Sequence, residues 1–150
     1  TGEDTLSLHD ALPILREQGY HTVLQQQGFE FDAVEYANDL SAAAGKAAMK
    51  NLLAMNPRPN AVFAVSDSLA AGAMRAIEQA GLQVPQDIAV IGFDGTELAE
   101  MVSPQLTTVE QPSREIGAKA VELLLNKIEN PDEPTERVML DWRFISRASA

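Results

Sequence analysis

Hydrophobic positions along the chain alternate between periodic and continuous blocks. Arg16 to Gln27 carries Tyr20, Val23 and Leu24 near helical spacing and stops at Gly28, which predicts a helix starting at Arg16. Phe29 to Tyr36 reads as a short strand. Ser41 is placed to cap a helix through Ala44, Ala48, Leu52 and Met55, ended by Asn56-Pro57. After the turn Arg58-Pro59-Asn60 comes Ala61-Val62-Phe63-Ala64-Val65, apolar without alternation, as expected of a strand buried on both faces. Ser66 or Asp67, with Asp67 favoured, caps a helix from Leu69 to Ala80 that ends at Gly81. Ile88 to Gly92 is a second buried strand and Thr107 to Val109 a third, shorter one. Pro112 opens a helix from Arg114 to Lys127 with Ile116, Ala120, Leu123, Leu124 and Ile128 as its apolar stripe. Residues 130–134 form a polar linker, and Arg137 to Leu140 and Trp142 to Ile145 read as closing strands, with Trp142 buried.

Strand, helix, strand, helix at this spacing predicts an α/β fold, a three-layer sandwich of a parallel sheet with helices on both faces and right-handed crossovers. Ligands of such sheets bind outside the carboxyl ends of the strands. Asp94 closes the run Ala89-Val90-Ile91-Gly92-Phe93-Asp94, and Gln111 closes Thr107-Thr108-Val109-Glu110-Gln111. Both therefore face one cleft, where a carboxylate and a carboxamide suit a ligand rich in hydroxyls.

Composition narrows the function. The 150 residues make one domain, 45% hydrophobic. A net charge of −11 argues against this segment gripping nucleic acid itself, since phosphate contacts need a basic surface. The chain has no cysteine, so it has neither a disulfide framework nor thiolate chemistry. No apolar run approaches the ~20 residues of a membrane span. Catalysis finds no support: Gly-x-Gly-x-x-Gly and Gly-x-Ser-x-Gly are both missing, and His21 has no cluster around it for a metal. No catalytic residue, metal or cofactor is assigned, and His21 is read as a helix surface residue. Residues 1–15 lack the basic start of a signal peptide, join poorly to the segment from Arg16 onward and resemble a translated sequencing adapter. They are given no function, and His9 is set aside.

Seven motifs in order carry a family resemblance: Arg16-x-x-Gly19-Tyr20; Ala61 to Asp67 with Ala71-Gly72; Gly81-Leu82-x-Val84-Pro85-x-Asp87-Ile88; Gly92-Phe93-Asp94; Pro104-x-Leu106-Thr107-Thr108-Val109; Ile116-Gly117-x2-Ala120; and Ile145-Ser146-Arg147-x-Ser149. Over residues 16–150 the chain resembles the LacI/GalR transcriptional regulators. The resemblance implies a periplasmic-binding-protein-like core in which two subdomains close over a small effector, a carbohydrate in the simplest reading. Residues 16–111 would then belong to the C-terminal subdomain, 112–140 would cross to an N-terminal subdomain absent from this chain, and 141–150 would return. Helix 114–127 would lack a facing sheet and expose its stripe. The helix-turn-helix headpiece that meets operator DNA would also lie outside the chain.

The resemblance also implies roles. Arg16, Leu40, Ser66, Asp94 and Gln111 stand at effector-contacting positions. Ser66 replaces a longer asparagine, and Leu40 replaces an aromatic that stacks on sugar rings. Leu69, Ala73, Leu98, Met101 and Val102 fall in segments that build a homodimer. The expected setting is the cytoplasm, away from membranes, with allosteric control of operator binding. The rival reading is a periplasmic sugar-binding protein of a transporter.

Overall fold

The computed structural model describes residues 8–29, 33–134 and 136–150, with side chains from residue 14 onward. In chain order the elements are α1 (Leu8–Gln27), α2 (Ala42–Leu53), β1 (Ala61–Phe63), α3 (Asp67–Gln79), β2 (Ala89–Asp94), α4 (Leu98–Met101), β3 (Thr107–Glu110), α5 (Ser113–Glu129) and β4 (Arg143–Ile145). The four strands form one sheet in the order β1-β2-β3-β4. The first three are parallel, with Ala61 beside Ala89 and Ile91 beside Thr107; β4 runs antiparallel to β3, with Thr108 beside Ile145. This is the expected α/β architecture with one antiparallel edge.

Local chemistry sets the helix ends. The Ser41 hydroxyl accepts from the Ala44 amide at 3.1 Å and starts α2. Both α1 and α3 end in a glycine of positive φ, Gly28 at 70° and Gly81 at 76°. Each allows two reversed hydrogen bonds: Gly28 N to Gln25 O with Phe29 N to Leu24 O, and Gly81 N to Glu78 O with Leu82 N to Ile77 O. A side chain at either position would strain that backbone.

The core lies between α3 and the sheet. Leu69, Ala70, Ala73, Met74, Ala76 and Ile77 meet Ile88, Val90 and Leu106, while Met49 of α2 closes the far side. Glycines let α2 and α3 touch backbone to backbone. A Cβ on Gly72 would overlap the Ala42 carbonyl, and one on Gly45 would overlap the Leu69 carbonyl.

Several sequence-based expectations need correction. α1 begins at Leu8, so Arg16 sits inside the helix and part of the 1–15 leader is continuous with the fold. Residues 33–36 form no strand; 30–32 lie outside the described residues. The segment Leu98–Met101 is one helical turn instead of a loop. Residues 137–140 are not a strand, and Trp142 is 65% exposed. The reason is register: Glu110 pairs with Arg143, so chain before Arg143 runs past the end of β3 with no strand to bond. α5 buries none of its side chains, and Ile116, Leu124 and Ile128 of its stripe stand exposed, as the lack of a facing sheet leads one to expect.

Candidate functional site

Three of the five proposed contact residues converge at the carboxyl ends of β1, β2 and β3. Asp94 is the last residue of β2, and Gln111 follows β3 directly. Parallel pairing of Asp94 with Glu110 puts the two strand ends level. Gln111 donates from Nε2 to Asp94 Oδ1 at 2.8 Å, and its backbone N–H donates to Asp94 O at 3.2 Å. Arg16 reaches in from α1. One guanidinium nitrogen donates to the Val65 carbonyl just beyond β1, and the other lies 3.4 Å from Asp94 Oδ1.

Phe93, to which the sequence motifs assigned no role, completes the cluster. The Arg16 guanidinium carbon sits 3.8 Å over the Phe93 ring, a cation–π contact, and Phe93 in turn meets Phe63 edge-on at 6.4 Å. The signal was present in the sequence: an aromatic beside a strand-terminal carboxylate gives a cation both a face and a charge.

Burial opposes charge on both partners. It is the largest influence on Arg16, lowering its pKa against the upward pull of Asp94. It also pushes the Asp94 carboxyl up, against the Arg16 charge and the Gln111 hydrogen bond, which favour the ionised form. Asp94 adopts φ 109°, a backbone conformation that costs a non-glycine residue about 1–3 kcal/mol and gathers at functional positions. Its Oδ1 is held by Gln111 and Arg16, whereas Oδ2 accepts from no described group. One oxygen is anchored and the other is left to accept hydrogen bonds from outside.

The remaining candidates part company with this cluster. Ser66 is buried, and its hydroxyl accepts from the Leu69 amide at 3.2 Å as the N-cap of α3. Asp67 is therefore the first helical residue and not the cap: its carboxylate instead accepts from Thr96 and Thr108. Ser66→Ala is expected to cost about 1 kcal/mol of stability, the usual worth of such a cap, with little change in ligand affinity; thermal melting beside a binding titration checks both. Leu40 is exposed in the bend before α2, apart from these contacts. Among the proposed interface residues, Leu69 and Ala73 are core side chains and present no surface, because the close α2–α3 approach covers them. Val102 packs against the core from the side, Leu98 is half-buried, and Met101 is 79% exposed.

Among the described residues no group of three histidines, cysteines or carboxylates is arranged to hold a metal, and no helix is long and apolar enough to cross a membrane. His21 lies 3.5 Å from Glu17 on α1.

Residues 6–150 match the model of the periplasmic binding protein-like domain. The ribose operon repressor of Escherichia coli (strain K12) is 41% identical over 137 residues, covering 91% of this chain and 42% of the repressor. The chain thus spans less than half the length of the curated relatives it matches. A LacI family transcriptional regulator from Enterococcus faecium, solved with bound ribose, superposes with a TM-score of 0.80 at 32% identity, covering 89% of this chain and 50% of the other. The lac repressor dimer bound to operator and an anti-inducer superposes at 0.81 and 32% identity, over 90% of this chain and 46% of the repressor.

Proposed function

Since this chain belongs to the periplasmic binding protein-like domain family, we propose that it forms one wall of the effector site of a LacI-type transcriptional regulator, taking a sugar, with D-ribose the first candidate. The observation that carries this reading is the convergence of Arg16, Asp94 and Gln111 on one strand end, with Asp94 Oδ2 free. Asp94 accepts from sugar hydroxyls, the Arg16 guanidinium and Gln111 amide donate to them, and Phe93 holds the guanidinium in place. Ribose comes from the relatives, one of which is a ribose operon repressor and another a ribose complex.

The regulator reading fits these relatives better than a transport receptor does, since they are transcriptional regulators and not enzymes or transport proteins. Operator DNA is met by a headpiece outside these residues, consistent with the net charge of −11 here. The assembly is a homodimer in the cytoplasm, and Met101 is the surface residue of this chain best placed to join it. Gln111, bonded to Asp94 and just ahead of the start of α5, links ligand to the segment that leaves the sheet. A sugar that binds one arrangement of that link better than another shifts operator affinity by the same free energy.

The test is calorimetric titration of the full-length polypeptide with D-ribose, a hexose, a disaccharide and a purine, repeated with operator DNA. Saturable binding of a sugar that changes operator affinity is expected. Saturation by the purine alone would replace the sugar reading.

A further inference from the structure

Asp67 is a buried carboxylate with no part in the cluster above. It is 1% exposed, yet it carries a full set of short hydrogen bonds. Its Oδ2 accepts from the Thr96 backbone N–H at 2.6 Å and from the Thr96 hydroxyl at 2.9 Å; its Oδ1 accepts from the Thr108 hydroxyl at 2.6 Å. The carboxylate lies over the pair formed by Gly92 and Thr108 on β2 and β3. A Cβ on Gly92 would come within 2.5 Å of Asp67 Oδ1, so the strand is kept bare where the carboxylate crosses it.

These donors bracket Asp94. Thr96 lies two residues after it, and Thr108 lies on the neighbouring strand, three residues before Gln111. Asp94 holds φ 109°, and a conformation of that kind persists only where its surroundings over-determine it. On one side Gln111 N–H grips the Asp94 carbonyl. On the other side the first tether after Asp94 is Thr96 on Asp67. Let go there, the turn relaxes toward ordinary φ and swings the Asp94 carboxylate off Gln111.

We infer that Asp67 is a positioning residue for the effector site: through Thr96 it pins the turn that holds Asp94 in its ligand-accepting conformation. The inference rests on the sugar-binding reading for its effect on affinity, but not for its effect on the turn itself. The negative charge at the first turn of α3 is favoured by the helix dipole, so the residue doing the pinning is itself held.

The experiment compares Asp67→Asn, Thr96→Val and Thr96→Ser with the parent in the full-length polypeptide, at a temperature where all are folded. D-ribose affinity is read by calorimetry, and amide hydrogen exchange of residues 95–97 is read without ligand. Thr107→Val is the structural control: its hydroxyl accepts from the Arg147 amide, away from this network. Asp67→Asn and Thr96→Val are expected to weaken D-ribose binding about tenfold and to speed exchange at 95–97 by a similar factor. Thr96→Ser should keep both near parental values, and Thr107→Val should lower the melting temperature alone. Parental affinity and parental exchange at 95–97 in Asp67→Asn and Thr96→Val would overturn the inference and leave Asp67 a purely structural carboxylate. Should the parent fail to bind D-ribose, the ribose reading falls, while the exchange rates still decide the role of Asp67.

Discussion

Asp94→Asn is expected to weaken sugar binding about 100-fold, close to 3 kcal/mol, the usual loss when a charged acceptor of hydroxyl hydrogen bonds is neutralised in a partly buried site. The melting temperature should hold or rise. Three features of Asp94 lead there. Its φ of 109° suits asparagine better than most residues. The asparagine carbonyl can still accept from Gln111 Nε2, so the contact at 2.8 Å survives. Burial raises the Asp94 pKa above its ordinary 3.8, so the native state holds a proton that the unfolded chain has released. Stability from this group is therefore present below pH 3.8 and is lost as pH rises through the folded-state pKa. At neutral pH the buried carboxylate costs stability, and asparagine removes both that cost and its pH slope. Calorimetry with D-ribose, alongside melting curves from pH 4 to 8, measures both halves. Unchanged affinity would remove Asp94 from the site; a large fall in melting temperature would make it a structural ion-pair member.

That trade of stability for binding was partly legible in the sequence. The continuous apolar runs at Ala61–Val65 and Ile88–Gly92 predict parallel strands, and strands of that kind put Asp94 and Gln111 at one end of the sheet. Arg16 came from the family resemblance, since nothing in helical spacing tells a cleft-facing arginine from a solvent-facing one. The start of α1 at Leu8 was not legible: Pro13 disfavours a helix interior and the composition changes abruptly near residue 15, yet the backbone makes no break there. The choice between Ser66 and Asp67 as cap was also out of reach. Both residue types cap helices, and only the tertiary donors Thr96 and Thr108, distant in sequence, draw Asp67 away from its own helix end. Leu69 and Ala73 went wrong for a related reason. The rows of small residues on α2 and α3 read as helix formers, while their use is close approach, which hides the surface they were expected to offer.

Gly72→Ala is expected to destabilise the protein by about 3 kcal/mol, the upper end of the usual cost of overpacking. The added Cβ would sit 1.9 Å from the Ala42 carbonyl oxygen and 2.8 Å from the Lys46 amide nitrogen. These are backbone atoms of α2, so no side chain can swing aside to relieve the clash. The helices must separate, which loosens Met49 from the core and shifts α3, the helix that carries Ser66 and Asp67 at its start. For a domain of this size the melting temperature should fall by roughly 10 °C. Gly19→Ala supplies the contrast. Gly19 lies on α1 with nothing within 4 Å of the added carbon, so the same substitution should gain about 0.5–1 kcal/mol from better helix propensity. Thermal unfolding of both variants in the full-length polypeptide separates packing from propensity. A Gly72→Ala protein that melts with the parent would mean that α2 and α3 do not meet at these glycines.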